Sequence, residues 1–239
     1  MRHKINDIHS HVIYGLDDGA KNLDMSIEML RNAYQQGTRN IVCTPHSYCD
    51  VKQYFKNIQT VQEQMKKENI NINLHPGCEI YCDDCNINRV IVELNNGVIP
   101  TINNTRYILV EFYTHANAKE IIDCIRLLRE NNYKIIIAHV ERYSSLFEDD
   151  KWLMLLKKWG CFFQINAYSV FDERDIQIKA FAQKLLKEKY VTFLGSDAHR
   201  TSHRPYMIKN GIDYIYKNCD KEYADDICYK NAENLLNIK

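Results

Sequence analysis

The chain has few of the features that mark membrane-spanning, secreted or nucleic-acid-binding proteins. Within its 239 residues no stretch approaches the roughly 18 consecutive apolar residues of a membrane span. No apolar run follows the basic residues of the opening segment MRHKINDIHSH, so we expect no secretory signal and no membrane insertion. The 31 Lys and Arg residues balance 31 Asp and Glu residues, which leaves no net charge to attract nucleic acid.

The nine cysteines are scattered and odd in number, which indicates reduced thiols and a cytoplasmic location. Cys78, Cys82 and Cys85 lie close together in the sequence. Cys82 and Cys85 form one Cys-x-x-Cys pair, but a four-thiolate zinc site would need a second such pair, and the sequence has none. We therefore interpret the three as incidental thiols of a loop.

Prolines and glycines are also scarce, at four and eight, and they are too dispersed to mark a linker. We therefore predict a single domain over residues 1–239. Short apolar runs alternate with longer segments of helical period, which predicts repeated β–α units and a parallel sheet, open or closed into a barrel. The predicted strands are residues 4–8, 40–43, 70–74, 107–110, 134–138, 161–165 and 191–194. The predicted helices are residues 23–35, 53–68, 119–130, 150–159, 175–189, 205–216 and 222–237.

Metal-ligating residue types recur where the predicted strands end. They are His9, His11, His46, Glu79, Glu111, His139, Asp197 and His199. In a barrel of parallel strands the C-terminal ends meet at one face, so these side chains would converge there. His9-x-His11 and Asp197-x-His199 each direct two ligands to the same side of an extended segment. Asp18, in an Asp-Asp-Gly turn beside the first pair, would add a carboxylate.

Each of these signals has a plainer alternative when it is taken alone. His139 would fit a satisfied core histidine, and a glutamate after an apolar run is either a surface residue or one that needs a cation. Together, nitrogen and oxygen ligands without a thiolate suit manganese, iron or zinc. The candidates exceed the roughly four to six ligands that one ion takes, so two or three divalent ions are implied.

A series of motifs resembles the bacterial protein-tyrosine phosphatases of the PHP (polymerase and histidinol phosphatase) superfamily, which are linked to capsule and exopolysaccharide production. The motifs are Asp7–His11, Gly15–Gly19, Thr44–His46, Pro76–Glu79, Val110–Phe112, Ala138–Arg142 and Ser196–His199, followed by Arg204–Pro205. They occur in order over about residues 5–237. The resemblance implies a distorted (β/α)7 TIM-like barrel of PHP type with a trinuclear metal site, in which manganese is favoured.

The resemblance also implies roles for individual residues. The ligands of the first metal would be His9, His11, Glu79 and Asp197. The second metal would share Glu79 and add Glu111 and His139. The ligands of the third metal would be Asp18, His46 and His199. Arg142 and Arg204 match phosphate-binding arginines. The general acid is left open between His199 and a metal-bound water.

The expected reaction is attack of a metal-activated hydroxide on phosphotyrosine. The expected partner is an autophosphorylated bacterial tyrosine kinase of polysaccharide assembly. No cysteine has an arginine six residues later, so the Cys-x5-Arg loop of thiolate-dependent tyrosine phosphatases is absent from the sequence.

The sequence departs from the family pattern near three of these motifs. Val140 stands where proline usually follows the histidine, Gly195 replaces an alanine, and Tyr113 follows Phe112 where proline is common. These changes remove no ligand and no arginine, but they bear on the pocket rim and on substrate choice. Histidinol phosphatase is the nearest alternative. A nucleic-acid phosphoesterase, which the neutral charge disfavours, and a non-catalytic metal-binding or kinase-binding regulator are the others.

Overall fold

The computed structural model describes residues 4–238, and residues 1–3 and 239 of the predicted domain lie outside them. The strands, in chain order, are β1 (Ile5–Ser10), β2 (Thr38–Cys43), β3 (Asn73–Pro76), β4 (Glu79–Tyr81), β5 (Tyr107–Glu111), β6 (Lys134–Ile137), β7 (Phe162–Asn166) and β8 (Phe193–Gly195). The α-helices are α1 (Leu23–Gln35), α2 (Val51–Lys67), α3 (Ile87–Asn95), α4 (Ala118–Glu130), α5 (Lys151–Lys158), α6 (Ile176–Lys187), α7 (Ile208–Asn218), α8 (Lys221–Asp225) and α9 (Asn231–Leu236).

The strands form two parallel sheets, one in the order β1-β2-β3 and one in the order β4-β5-β6-β7-β8. Two isolated parallel bridges join the sheets. Ser10 at the end of β1 pairs with Ala198 beyond β8, and His46 beyond β2 pairs with Glu79 in β4. The predicted α/β class with a parallel sheet is confirmed.

One layer of the core comes from a single inward-facing residue on each of five strands. These residues are Ile8, Val42, Leu109, Ile136 and Phe193. The same cluster includes Ala232, Leu235 and Leu236 of α9. The neighbouring positions Ile41, Ile108 and Ile135 belong instead to the larger core cluster. Because successive side chains of a strand point to opposite faces, both faces of these strands are covered by apolar residues.

Several helices begin at an Asp or Asn whose side chain accepts hydrogen bonds from the first turn. These N-caps are Asn22, Asp50, Asn117, Asp175 and Asp220. Such caps satisfy backbone N–H groups that have no partner within the helix. No helix within residues 4–238 is both long enough and apolar enough to cross a membrane.

Most predicted elements are present with ends shifted by one or two residues, and the larger differences from the sequence prediction lie in four places. Helix α3 was not predicted at all, and the strand predicted at 70–74 lies further along, as β3 and β4. Helix α7 begins at Ile208 rather than at 205, beyond Pro205. The final predicted helix is divided, because a π-helical turn at Asp226–Lys230 separates α8 from α9.

The three clustered thiols do not share a site. Cys78 and Cys82 are buried and their sulfurs contact the backbone carbonyls of Pro45 and Ile80, whereas Cys85 is exposed. All nine cysteines of the chain are free.

Candidate metal centre

The candidate ligands lie at strand ends or directly after them. β1 carries His9 and is followed by His11, β5 ends at Glu111, and His139 follows β6. Glu79 is the first residue of β4. The remaining candidates, from the segments after β1, β2 and β8, are Asp18, His46, Asp197 and His199. The structure brings all of them into one network of close nitrogen–oxygen distances.

Glu79 occupies the middle of this network. Its Oε1 lies 3.1 Å from Nε2 of His9 and 2.8 Å from Nε2 of His139. Its Oε2 lies 3.1 Å from Nε2 of His11 and 3.3 Å from Nδ1 of His46. The carboxylate of Glu79 is therefore fully buried and surrounded by four imidazoles, and it is the residue for which the family resemblance implies a bridging role.

Asp197 approaches the same histidines from the other side. Its Oδ1 lies 3.6 Å from Nε2 of both His9 and His11, and 3.4 Å from Nδ1 of His199. Glu111 is also part of the network, and its Oε1 lies 2.8 Å from Nδ1 of His46.

A more open group faces solvent. Oδ1 of Asp18 lies 3.3 Å from Nε2 of His199 and 3.5 Å from Nε2 of His46. The Asp18 side chain is 51% exposed, so this group is the part of the centre that solvent reaches most readily.

Three sets of ligand atoms in the centre are compact enough to hold an ion. The sets are His11, Asp18, His46 and His199; His9, His11 and Glu79; and His46, Glu79 and Glu111. They are similar to the three sets that the family resemblance implies, with three differences. The set around Asp18 also contains His11, the set around Glu111 has His46 in place of His139, and Asp197 is not part of the set with His9.

The two candidate phosphate-binding arginines border the carboxylates. Nη2 of Arg142 lies 3.1 Å from Oδ2 of Asp197. Arg204 reaches the same oxygen at 3.5 Å and Oδ2 of Asp18 at 3.0 Å. The side chains of Arg142 and Arg204 are 20% and 22% exposed, so both arginines are partly buried beside the carboxylates and still reached by solvent.

Three residues of the centre have backbone conformations in the left-handed region. The φ angles are 30° for His139, 49° for Asp197 and 50° for Arg204. Non-glycine residues adopt this region at a cost of about 1–3 kcal/mol, and such strain concentrates at functional sites.

Sequence reasoning overlooked the residues that orient the imidazoles. Asp17 Oδ2 lies 2.7 Å from Nδ1 of His11, and Gln164 Oε1 lies 3.0 Å from Nδ1 of His9. The Tyr143 hydroxyl lies 3.2 Å from Nδ1 of His139. Partners at Nδ1 leave Nε2 facing the centre, which is the usual arrangement of metal-bound histidines. The Asp-Asp-Gly turn gave a signal for Asp17, whereas nothing in the sequence singled out Gln164 or Tyr143.

Tyr168 and Asn166, which the sequence analysis also overlooked, form hydrogen bonds beside Arg142. Arg142 donates a hydrogen bond to the Tyr168 hydroxyl, which donates to Oδ2 of Asp197 at 3.4 Å. The Asn166 side-chain amide donates to the same carboxylate oxygen at 2.9 Å. Asp197 therefore has one oxygen facing the histidines and one bound by amide, phenol and guanidinium groups.

The charges in the centre strongly perturb one another. Burial lowers the pKa of His9, but the Glu79 and Asp197 carboxylates outweigh that effect and raise its pKa to about 9. The pKa of Glu79 is held well below its ordinary value, because His9, His11 and His139 outweigh the effect of burial. The pKa of His199 is lowered to about 3 by burial and by neighbouring His11.

The residues present fit a group of divalent cations. Buried carboxylates and imidazoles whose Nε2 atoms point at one another are suited to such ions, and the set contains no thiolate. Nε2 of His199 is buried and accepts no hydrogen bond from any group within residues 4–238. A buried polar atom without a partner is costly, and a cation would satisfy it.

Comparisons with known proteins agree with this geometry. The model of a family described as "Capsular polysaccharide synthesis, CpsB/CapC" matches residues 5–237. The tyrosine-protein phosphatase CpsB of Streptococcus agalactiae is 29% identical, over 96% of this chain and 97% of its own. The tyrosine-protein phosphatase YwqE of Bacillus subtilis is 32% identical, over 96% of this chain and 91% of its own.

A solved structure is similar over nearly the whole fold. It belongs to work on YwqE from B. subtilis and CpsB from Streptococcus pneumoniae, described as metal-dependent tyrosine phosphatases. The TM-score is 0.88 at 29% identity, and the match covers 98% of this chain and 94% of the other.

Proposed function

The chain belongs to the CpsB/CapC family of capsular polysaccharide synthesis, and we propose that it is a metal-dependent protein-tyrosine phosphatase. The observation that carries this proposal is the position of Arg142 and Arg204 beside a buried cluster of imidazoles and carboxylates. Guanidinium groups match the geometry of phosphate oxygens, and the cluster suits divalent ions.

We propose that the centre holds two or three divalent ions, with manganese favoured and iron or zinc as alternatives. The proposed ligands are His9, His11, Asp18, His46, Glu79, Glu111, His139, Asp197 and His199. Ions held there would activate water and neutralise phosphate charge at neutral pH. With its pKa lowered to about 3, the His199 ring is neutral at neutral pH and lacks the second, acidic proton of an imidazolium, so we assign it as a ligand rather than as the general acid.

The chain's own part in the reaction is to bind and orient the phosphate. Arg142 is fixed by Tyr168 and Asp197, and Arg204 by Asp18 and Asp197, so both guanidinium groups are held before substrate arrives. Phosphoryl transfer depends mainly on such positioning and charge stabilisation. A phenol has a pKa of about 10, so tyrosine needs less protonation as it leaves than an alkoxide does.

We further propose that the two sheets form one distorted (β/α)7 barrel of PHP type, in which β3 and β4 act as a single interrupted strand. Three observations support this. The bridges Ser10–Ala198 and His46–Glu79 join the sheet edges. Strand residues and α9 share one inner core cluster. A Cβ at Gly77, between β3 and β4, would lie 2.5 Å from Val42 of β2, so the interruption packs closely against its neighbour.

The proposed substrate is a phosphotyrosine protein, in particular an autophosphorylated bacterial tyrosine kinase of capsule or exopolysaccharide assembly. We propose a cytoplasmic location for the reaction. The free state of all nine cysteines supports that location, because thiols persist in a reducing compartment.

The proposal is tested by assaying manganese-loaded protein, with and without EDTA, on a phosphotyrosine peptide, a phosphoserine peptide and histidinol phosphate. We expect phosphate release mainly from the phosphotyrosine peptide, and loss of that release in EDTA. Arg142→Ala should lower the rate, while Arg89→Ala, on the exposed face of α3, should match wild type. Preference for histidinol phosphate would replace the proposed substrate, and failure on all three would overturn the phosphatase assignment.

A further inference from the structure

An exposed tyrosine ring stands at the mouth of the metal centre. Tyr48 follows His46 by two residues and is 71% exposed. Its inner face stacks on the His46 imidazole, with ring centroids 5.3 Å apart and planes inclined by 17°. An aromatic ring that packs on one face and meets solvent on the other offers apolar area to a ligand.

The segment that carries Tyr48 is tied to the centre by its backbone. The N–H of His46 donates to Oδ2 of Asp17 at 3.1 Å, and the N–H of Ser47 donates to the Glu79 carbonyl at 3.0 Å. The N–H of Cys49 then donates to the His46 carbonyl at 3.1 Å. Because residues on both sides are anchored, the ring keeps a defined position relative to the candidate ligands.

A short chain of contacts connects the Tyr48 ring to Arg204, one of the two proposed phosphate-binding arginines. His46, beneath the Tyr48 ring, has its Nε2 3.5 Å from Oδ1 of Asp18. Oδ2 of the same carboxylate accepts a hydrogen bond from Arg204 at 3.0 Å. An aromatic surface and a phosphate-binding guanidinium therefore border the same opening, which is the pairing that a phosphorylated aromatic ring requires.

We propose that Tyr48 determines specificity for aromatic phosphomonoesters, by stacking its exposed face against the phenyl ring of the bound phosphotyrosine. The proposal rests on the proposed function for its substrate class. Phe55, on helix α2, is 47% exposed but packs against Tyr54 rather than on a candidate ligand. It therefore provides a matched control.

Binding of non-hydrolysable ligands tests the proposal without requiring turnover. We would measure phenylphosphonate and methylphosphonate affinities for metal-loaded wild type, Tyr48→Ala, Tyr48→Phe and Phe55→Ala by calorimetry. Tyr48→Ala should weaken phenylphosphonate binding about tenfold, the scale of one lost aromatic contact with its buried area. Methylphosphonate affinity should be unchanged, and Tyr48→Phe and Phe55→Ala should match wild type for both ligands.

Equal weakening of both phosphonates in Tyr48→Ala would overturn the proposal, since the loss would then concern the phosphate site. A wild type that does not favour phenylphosphonate, or an equal loss in Phe55→Ala, would overturn it as well. Failure to hydrolyse the phosphotyrosine peptide would count against the proposed function instead, because the binding comparison needs no catalysis.

Discussion

The charge balance of the centre depends on single residues, and Glu79 shows this most clearly. A carboxylate buried without compensation is costly, so its two oxygens must be paired. Four imidazole nitrogens lie within 3.3 Å of them, and the pKa of Glu79 is held well below its ordinary value as a result. The same imidazoles lie close to Asp197 and Glu111, so the centre brings many ligand atoms into one network.

Tyr168 gives a test of positioning at the residue scale. Its hydroxyl links Arg142 to Asp197, so Tyr168→Phe would leave the guanidinium with fewer constraints. We expect kcat/KM for a phosphotyrosine peptide to fall about tenfold, as for loss of a hydrogen bond to a charged group. The inhibition constant of inorganic phosphate should rise in parallel, while metal content stays at the wild-type value.

The matched control is Tyr133→Phe, which removes a buried hydroxyl bonded to Asn95 away from the centre. It should change neither phosphate inhibition nor turnover. If Tyr168→Phe lowered metal content, or left phosphate inhibition unchanged, Tyr168 would not be positioning Arg142.

Some residues of the centre could be predicted from the sequence and others could not. Candidate ligands could be found because carboxylates and imidazoles at successive strand ends are unusual, and parallel strands bring such ends together. Gln164 and Tyr168 gave no signal, because an ordinary polar residue becomes an orienting partner only through contacts made by distant segments. Gln164, for example, reaches His9 from a strand 155 positions later.

Among the secondary-structure elements, α2 matters most to the centre, because it begins directly after the segment that carries His46 and Tyr48. Its N-cap Asp50 accepts hydrogen bonds from the N–H groups of Lys52 and Gln53. Further along the helix, the Tyr54 hydroxyl donates to the Cys43 carbonyl at 2.7 Å and accepts from Gly77 N–H at 3.0 Å. Helix α2 is thus attached to β2 and to the link between β3 and β4.

We predict that Asp50→Ala lowers both stability and substrate affinity. Loss of an N-cap costs about 1 kcal/mol, which for a chain of this length lowers the melting temperature by roughly 2–4 °C. The KM for a phosphotyrosine peptide should rise, because the capped start of α2 holds the C-terminal side of the His46–Cys49 segment in place. Calorimetry and steady-state kinetics measure the two effects.

Asp175→Ala serves as the control, since Asp175 caps α6 in the same way, through Gln177 and Ile178. It should lose similar stability with an unchanged KM. Equal KM values in the two variants would argue against a role for the α2 cap in the centre.

Elements were predictable where their sequence signal is continuous. Strand β6 is a run of buried isoleucines after Lys134, as expected for a parallel strand covered on both faces. Helix α3 was missed because Ile87–Asn95 is short and rich in β-branched residues, and its N-cap Asn86 makes no side-chain cap bond. The π-helical turn before α9 has no pattern by which the sequence distinguishes it from an α-helix.

On the scale of the whole molecule, the proposed ions and the fold depend on each other. The ligands come from segments spread between His9 and His199, so ions that bind them all would hold the two sheets together. Ligand that binds only the folded state adds about 4 kcal/mol of stability at a thousandfold excess over Kd. We therefore expect EDTA to lower the melting temperature by roughly 10 °C.

The decrease in melting temperature caused by EDTA should depend on pH, and the titration of His9 sets the direction of that dependence. In metal-free protein the pKa of His9 is raised from 6.5 to about 9, so its contribution to stability is complete below about pH 6.5 and is lost as pH rises through about 9. The lowered pKa values of Glu79 and Asp197 act only at acidic pH, outside this window. Metal binding requires neutral imidazoles, so affinity should rise over the same range.

The difference in melting temperature between metal-loaded and EDTA-treated protein should therefore widen from about pH 6.5 to about pH 9. Differential scanning calorimetry with and without EDTA measures it. His139→Ala should reduce the difference at every pH, whereas His75→Ala, which removes a histidine bonded to Asn40 and Asn103, should preserve it. A difference that is constant with pH would mean that ions and protons do not compete for these imidazoles, and the proposed ligand set would then be wrong.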